Sequence, residues 1–263
     1  MRVDKVSAIF LFLGGLLFFI IVIPILNVFT EQILFHFPNF VHSLTEYTVL
    51  KAVSVSLFAS FLAVLVGFIL GVPLAYLLAN EDFLGKGIVE GFVDLPMAIP
   101  HTAAGVALLV VFGAQGLIGG ATEPFLHFER SLLGIVIAMT FISTPYMVNS
   151  AKEGFQSVDR RLENVGRNLG ASRWETFHRI SFPLAFPHIF NGAIMAWARS
   201  ISEFSAIIIF VGYWPTIAPA LIWSRFHSQG LTKAISIAVV LLVIVLPIFV
   251  LLRHLRGRLF DKY

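Results

Sequence analysis

Long apolar runs, separated by short segments that hold most of the charged residues, are the feature that most constrains this chain. The first run extends from Val6 to Phe29 without a charged residue. About 20 apolar residues are enough for a helix to cross the hydrocarbon core of a membrane. Because only 13% of the 263 residues are charged, they are too few to give a soluble domain of this size a wettable surface. The pattern predicts an all-α, polytopic membrane protein of the cell (plasma or inner) membrane.

The apolar runs predict six spans in a single transmembrane domain of residues 1–263. They lie at about 6–29, 52–79, 95–116, 131–151, 189–211 and 234–252. Lys and Arg are concentrated in alternate loops, and short loops rich in these residues face the cytoplasm. We therefore expect both termini to lie inside, with a cytoplasmic loop of residues 152–187 between spans four and five. The basic tail that begins at Arg253 is expected to contact anionic lipid or a partner subunit.

The loop of residues 152–187 is rich in arginine and carries the signals of two short helices. Ser157 or Asp159 can cap the start of the first helix. Gly170 can adopt the left-handed conformation that ends it.

Ser172 and Glu175 have the spacing of a capping box at the start of the second helix. We expect this helix to end before Pro183, because the residue that precedes a proline avoids the helical conformation. Two capped helices joined at a glycine would form a rigid projection, which is what a contact that transmits force requires.

The second half of this loop resembles the EAA motif of binding-protein-dependent ABC importer permeases, in which glycine, nine residues and I-x-L-P follow one another. Here nine residues follow Gly170 before Ile180-Ser181-Phe182-Pro183. The E-A-A positions hold Asn164-Val165-Gly166, with Glu163 one residue earlier. The resemblance implies that the loop docks on an ATP-binding subunit. The candidate coupling residues are Glu163, Asn164, Arg167, Gly170, Ala171 and Ser172.

No G-x-x-x-x-G-K-[ST] sequence occurs in the chain; the partial match Gly85-Lys86-Gly87 lacks the hydroxyl residue. The chain is therefore not expected to be an enzyme, and ATP and Mg²⁺ are expected to be bound by two separate ATPase subunits. There is no cysteine, which excludes thiolate metal sites and disulfides. We expect no cofactor or metal in this chain, and no nucleic-acid partner.

Two further stretches, residues 94–119 and 196–206, are similar to permeases for molybdate, tungstate, sulfate and thiosulfate. The Pro100-His101-Thr102 sequence is most similar to that of archaeal molybdate/tungstate permeases. The resemblance covers the chain from about residue 50 to 252 and implies an oxyanion importer, with sulfate or thiosulfate as the alternative cargo. It also implies a homodimer of this chain and an extracytoplasmic binding protein that delivers the anion.

Arg199 and Glu203 lie four residues apart, so a continuous helix would place them on one face. An arginine in mid-membrane should face protein or water rather than lipid. Two interpretations remain open: a pathway residue that helps to pass an anion, or a structural ion pair. Exchanging the two residues would separate these interpretations, since a structural pair should tolerate the exchange.

Pro100, His101 and Thr102 form the second group of pathway candidates. A proline at a helix start leaves backbone N–H groups free, and such a terminus can hold an oxyanion. His101 would add a charge that depends on protonation. The alternative is a capped helix start with a packed histidine.

Two other functional classes were considered from the sequence. An intramembrane enzyme would need a serine–histidine, paired-aspartate or H-E-x-x-H arrangement within the spans, and none occurs. A secondary transporter or channel usually contains internal repeats and carboxylates near the bilayer centre. Glu203 is the one such carboxylate, and Arg199 neighbours it.

Overall fold

The computed structural model describes residues 4–122 and 125–260, and within these ranges the chain is helical with no β-strand. The ends of the predicted domain, residues 1–3 and 261–263, lie outside the described residues. The helices are α1 (Lys5–Thr30), α2 (Phe37–Thr45), α3 (Tyr47–Asn80), α4 (Lys86–Ala98), α5 (His101–Phe112), α6 (Gly119–Thr122), α7 (Leu132–Gln156), α8 (Arg160–Asn168), α9 (Arg173–Thr176), α10 (Phe182–Ile201), α11 (Ser205–Phe210), α12 (Ala218–Gln229) and α13 (Leu231–Phe260). Two π-helical turns, Glu31–Phe35 and Phe177–Ser181, follow α1 and α9. The predicted all-α class is confirmed.

Four of the helices, α1, α3, α7 and α13, are long and apolar enough to cross a membrane. They correspond to the predicted runs 6–29, 52–79, 131–151 and 234–252. The bent pair α4 and α5 raises the number of candidate spans in the described ranges to five.

The span predicted at residues 95–116, in which Pro96 and Pro100 favour a broken or capped entry, is sharply bent in the structure. Helices α4 and α5 replace it and meet at an angle of 117°. The bend follows from Pro100, which has no backbone N–H and drives the preceding residue out of the helical region. Ile99 accordingly has extended backbone angles, with φ −84° and ψ 147°.

The span predicted at residues 189–211 is broken as well. Helix α10 begins earlier and ends at Ile201, and α11 begins only at Ser205. Polar side chains in the intervening segment bond to the backbone: the Ser202 hydroxyl donates to the Arg199 carbonyl, and the Glu203 carboxylate accepts from the Ala206 N–H. Such local bonds compete with the helical hydrogen-bond ladder, which explains the break.

Helices α3, α7 and α10 form the centre of the protein, and small residues set their close approach. A Cβ atom added at Gly71 of α3 would lie 3.1 Å from Val148 of α7. One added at Gly192 of α10 would lie 2.9 Å from Ser150 of α7. Small residues allow membrane helices to pack backbone to backbone. These glycines therefore set the spacing of the three helices that support the predicted pathway residues and the loop of residues 152–187.

Between α7 and α10 the chain forms a helical projection, residues 157–181, which we call the elbow. Asp159 caps α8 by accepting from the Arg161 N–H at 2.9 Å, and Gly170 has the predicted left-handed conformation, with φ +95°. Ser157 instead lies at the end of α7 and donates its hydroxyl to the Gly154 carbonyl. The capping box of Ser172 and Glu175 is also confirmed.

The predicted helix end before Pro183 is wrong, because the chain continues as helix from α9 through the second π-helical turn into α10. In the π-helical turn, the Phe182 N–H donates to the carbonyl of Phe177, five residues back. Pro183 directly follows this turn, and a local π-helical adjustment accommodates a proline within a continuous membrane helix. The second half of the elbow, from Arg173 to Ser181, and the membrane helix α10 therefore form one continuous helix.

Candidate functional site

A polar cluster of His101, Arg199 and Glu203 lies where the start of α5 meets the break after α10. Arg199 Nη2 lies 2.8 Å from Glu203 Oε2, and His101 Nδ1 lies 2.8 Å from the same oxygen. Arg199 Nη2 also lies against the imidazole, 2.5 Å from Nδ1 and 2.8 Å from Nε2. The structure thus joins the two groups of pathway candidates, which are about a hundred residues apart in the sequence, into one site.

The backbone around this cluster explains how the three side chains meet. His101 is the first residue of α5, directly after Pro100, and Glu203 lies in the break between α10 and α11. A Cβ atom added at Gly105 would lie 2.8 Å from the Ala206 carbonyl oxygen. Because glycine allows α5 to cross α11 this closely, His101 is placed within reach of the carboxylate.

Both oxygens of the Glu203 carboxylate are occupied. Oε2 contacts Arg199 and His101, and Oε1 accepts from the Ala206 N–H at 2.9 Å. The Glu203 side chain is 1% exposed, whereas the side chains of Arg199 and His101 are 18% and 36% exposed. The carboxylate is therefore an internal anchor, and the accessible part of the cluster consists of the guanidinium and the imidazole.

The hydrogen bond to Glu203 restricts the protonation of the imidazole. Nδ1 can donate to the carboxylate only when it carries a proton, and it cannot then accept from Arg199. Nε2 is left as an acceptor in neutral His101 and becomes a second donor in the imidazolium. In neutral His101, Nε2 can therefore accept from Arg199, and the accessible edge carries the fixed positive charge of the guanidinium.

The other predicted pathway residues, Pro100 and Thr102, lie at the same helix start. Pro100 caps α5 and Thr102 is exposed in its first turn. The first backbone hydrogen bond of this helix runs from the Ala104 N–H to the Pro100 carbonyl. The N–H groups of residues 101–103 are therefore not used by the helical hydrogen-bond ladder.

Several polar contacts near the cluster were missed from the sequence. Arg199 Nη1 donates to the Ser202 hydroxyl at 3.3 Å. Helix α4 is tied to α7 by Lys152 with Glu90 at 3.0 Å and by Asn149 with Asp94 at 2.7 Å. The sequence did contain a signal for the two contacts of α4. Glu90 and Asp94 lie four residues apart, so they share one face of this helix.

On the elbow, the predicted coupling residues do not share one surface. The Ser181 hydroxyl donates to Glu163 Oε1 at 2.5 Å, so this carboxylate is turned towards the π-helical turn. Arg167, four residues later, lies on the same face of α8. A Cβ atom added at Gly166 would lie 2.8 Å from Ile180 Cδ1, so α8 packs over the turn at this point.

A second face of α8 carries an apolar stripe that the sequence interpretation missed. Leu162, Val165 and Leu169 have the spacing of neighbours on one helix face, and all three are exposed. Gly170, Ala171 and Ser172 follow in the turn to α9. Exposed apolar side chains on a projection of this kind are typical of a protein-contact surface.

The capping box at the start of α9 has an electrostatic consequence. The Ser172 N–H donates to Glu175 Oε2 at 2.9 Å, and the Ser172 hydroxyl donates to the same oxygen at 2.9 Å. These two bonds favour the charged carboxylate, and they lower the pKa of Glu175 from its ordinary value.

Within residues 4–122 and 125–260, no group of three or more His, Asp or Glu side chains is arranged to hold a metal ion.

A family model described as "binding-protein-dependent transport system inner membrane component" matches residues 67–261. The chain belongs to this family. As a membrane component of an ABC transporter, the permease takes part in transport rather than catalysis. Its membership also identifies it as a multi-pass membrane protein.

The permease is similar along nearly its whole length to curated transport proteins. It is 42% identical over 255 residues to the molybdate/tungstate transport system permease protein of Pyrococcus abyssi, covering 97% of each chain. It is 43% identical over 258 residues to the protein of the same name from Thermococcus kodakarensis, covering 98% and 99%. A probable sulfate transport system permease protein of Chlorokybus atmophyticus is 32% identical over 232 residues, covering 87% of this chain and 81% of the relative.

Solved structures have the same fold. A chain of a bacterial ABC transporter involved in the import of the acidic polysaccharide alginate superimposes with a TM-score of 0.76 at 18% identity, covering 95% of the permease and 94% of that chain. A chain of an inward-facing methionine ABC transporter gives a TM-score of 0.65 at 15% identity, covering 82% and 96%.

Proposed function

We propose that this chain is the membrane-spanning subunit of an ATP-driven, binding-protein-dependent importer of molybdate or tungstate. The observation that carries the proposal is the 42–43% identity, along nearly the full length, to permeases named for these two oxyanions. Sulfate is the second candidate cargo, favoured by the 32% identity to a probable sulfate permease. The proposed assembly contains two copies of the chain, two cytoplasmic ATPase subunits that bind ATP and Mg²⁺, and an extracytoplasmic binding protein.

The proposed topology has six spans in one permease domain, with its core at about residues 50–252 and both termini on the side of the elbow. The bent pair α4–α5 and the broken pair α10–α11 would each serve as one span. Arg256, near the end of α13, donates to Asn191 in the elbow-proximal half of α10. At the opposite end, Ser236 near the start of α13 donates to Gln32, just after α1. These contacts support a shared side for the start of α1, the end of α13 and the elbow.

The elbow is the proposed contact with the ATPase subunit. We place the docking surface on Leu162, Val165 and Leu169 and on the turn Gly170–Ser172, with Asn164 beside them. Glu163, turned towards Ser181, would hold α8 at a fixed angle rather than touch the ATPase. Because the helix is continuous from Arg173 to Ile201, movement of the elbow would be transmitted over roughly 40 Å to Arg199, at about 1.5 Å per residue.

The polar cluster is the proposed pathway site. Arg199 supplies the accessible donors, His101 would add one when protonated, and Thr102 and the first N–H groups of α5 lie beside them. The neighbouring Glu203 reduces the net positive charge, so a dianion would be held weakly and could leave again, as transport requires. A second copy of the chain would complete the walls of the pathway at a two-fold axis.

The deciding experiment measures ATP hydrolysis by the reconstituted transporter. We expect stimulation by binding protein loaded with molybdate or tungstate, and little stimulation by the sulfate-loaded protein. Equal stimulation by sulfate would contradict the proposed cargo. Transport that needs neither ATP nor the ATPase subunit would instead indicate a secondary transporter or a channel.

The pathway role of Arg199 needs a variant that leaves the fold intact. Exchanging Arg199 and Glu203 would remove the acceptor for the Ala206 N–H, so that exchange would fail even for a purely structural pair. Combining Arg199→Gln with Glu203→Gln keeps hydrogen-bonding groups at both positions and removes both charges. We expect this double variant to fold and to lose most uptake, whereas unchanged uptake would assign the pair to structure alone.

A further inference from the structure

A groove of about 520 Å³ lies between the elbow end of α3 and the elbow itself. Pro73, Tyr76 and Leu77 line it from α3, and Trp174 and Phe177 line it from the elbow. Arg167 and Arg173 lie at its rim together with Glu81. The groove is separate from the polar cluster and from the exposed apolar stripe of α8.

The lining of the groove is divided into an apolar part and a charged part. Pro73 and Leu77 form the apolar part. Both are exposed on α3, which is long and apolar enough to span the membrane. Glu81 directly follows the end of that helix, and the two arginines belong to the elbow. An occupant would therefore need an apolar tail on one side and a charged group on the other.

The charge at the rim favours an anion. Within the described parts of the chain, no carboxylate lies at ion-pair distance from Arg167, whereas Arg173 Nη1 lies 3.5 Å from Glu81 Oε1. Arg167 lies on the inward face of α8 with Glu163, which directs it towards α3 rather than towards the exposed stripe. A guanidinium can bind a phosphate with two parallel hydrogen bonds.

Trp174 indicates where the groove meets the boundary between the membrane and water. Its side chain is 70% exposed, and its ring stacks on Phe177 with the centroids 5.6 Å apart. Tryptophan is enriched at the boundary between the membrane and water, where one end of the indole is apolar and the other is hydrated.

We propose that this groove binds one anionic phospholipid, with its phosphate at Arg167 and Arg173 and one acyl chain along Leu77 and Pro73. The bound lipid would connect the end of α3 to the elbow and would steady the angle at which the elbow meets its partner. Basic pockets at the cytoplasmic side of membrane helices commonly bind anionic headgroups.

The test uses the full-length chain in nanodiscs and lipids with brominated acyl chains, which quench tryptophan fluorescence on contact. The Trp174 contribution is the difference between the natural chain and Trp174→Phe. We expect brominated phosphatidylglycerol to quench Trp174 at roughly fivefold lower mole fraction than brominated phosphatidylcholine, the effect of about one basic residue near the membrane surface.

Three arginine variants sharpen the test. Arg167→Gln should abolish most of the preference for phosphatidylglycerol, and Arg173→Gln should reduce it less, because Glu81 already offsets that charge. Arg179→Gln is the matched control, since this exposed arginine is on the same elbow but does not line the groove. The measurement involves no transport, so its failure is distinguishable from failure of the proposed importer function.

Equal quenching by the two lipids, or an equal loss of preference in Arg179→Gln, would overturn the proposal. So would quenching by neither lipid combined with protection of Trp174 from a water-soluble quencher on addition of the ATPase subunit. That last result would assign the groove to the protein partner.

Discussion

Glu203 and Glu163 are both carboxylates held by neighbouring donors, but one lies at a helix break within the membrane region and the other on the elbow. Glu203 is buried, bonds through both oxygens and joins α5 to the break after α10. Glu163 is partly exposed and accepts from Ser181, eighteen residues away in the same projection. We therefore expect substitutions in the membrane cluster to cost much stability, and substitutions in the elbow to cost less.

The largest effect is expected from Glu203→Ala. It leaves Arg199 without its counter-charge and the Ala206 N–H without its acceptor, and breaking a buried ion pair typically costs roughly 3–5 kcal/mol. We expect a large loss of folded protein, measured as the monodisperse yield and the thermal unfolding temperature in detergent. Glu203→Gln is the control, because it retains an acceptor for Ala206; equal stability of the alanine variant and the natural chain would contradict the anchoring role.

A smaller effect is expected from Ser181→Ala, which removes the donor to Glu163. A hydrogen bond to a charged group contributes about 1.5–3 kcal/mol, and water can partly replace this one because Glu163 is not fully buried. Hydrogen exchange should become faster in α8 but not in α7. Ser157→Ala removes a hydroxyl bonded to a neutral carbonyl on the same elbow, and it should have the weaker effect.

Gly170→Ala should strain the turn between α8 and α9. A side chain at φ +95° costs roughly 1–2 kcal/mol in the left-handed region. We expect the loaded binding protein to stimulate ATP hydrolysis less, with little change in the folded yield. Gly170→Asn should reduce the stimulation less than Gly170→Ala does, since asparagine tolerates this conformation. Unchanged stimulation in the alanine variant would show that Gly170 is not needed for coupling.

The smallest effect is expected from protonation of Glu175. The pKa of this carboxyl is lower in the folded chain, so its stabilising contribution is complete above the ordinary value of about 4.5 and is lost as the pH falls through the folded pKa. The Ser172 amide should lose protection against hydrogen exchange over that acidic range, after correction for the intrinsic exchange rate. Glu175→Gln should show no such pH dependence.

Much of the elbow was predictable from the sequence, because its signals are local. Asp159, Gly170 and the pair Ser172 and Glu175 act over two to four residues, and the structure has each of them in the predicted conformation. The helix end before Pro183 was mispredicted, since a π-helical turn accommodates the proline within a continuous helix. The inward turn of Glu163 also depends on Ser181, whose position that same turn sets.

The membrane cluster was predictable only as separate residues. Arg199 and Glu203 stood out as charges within an apolar run, and His101 stood out as a histidine beside a proline at a predicted helix start. Their meeting depends on the crossing of α5 and α11 at Gly105 and on the break after Ile201. The crossing joins helices that are about a hundred residues apart, so no short stretch of sequence predicts it.

The all-helical membrane character, the arginine-rich projection and the family could all be read from the chain alone, because hydropathy, capping signals and motifs act along it. The meeting of His101 with Arg199 and Glu203 emerged only from the folded structure, as did the inward turn of Glu163 and the exposed apolar stripe of α8. The physical reason is that hydrogen bonds and close helix packing between distant segments set these arrangements. Their partners are residues that no periodic pattern connects.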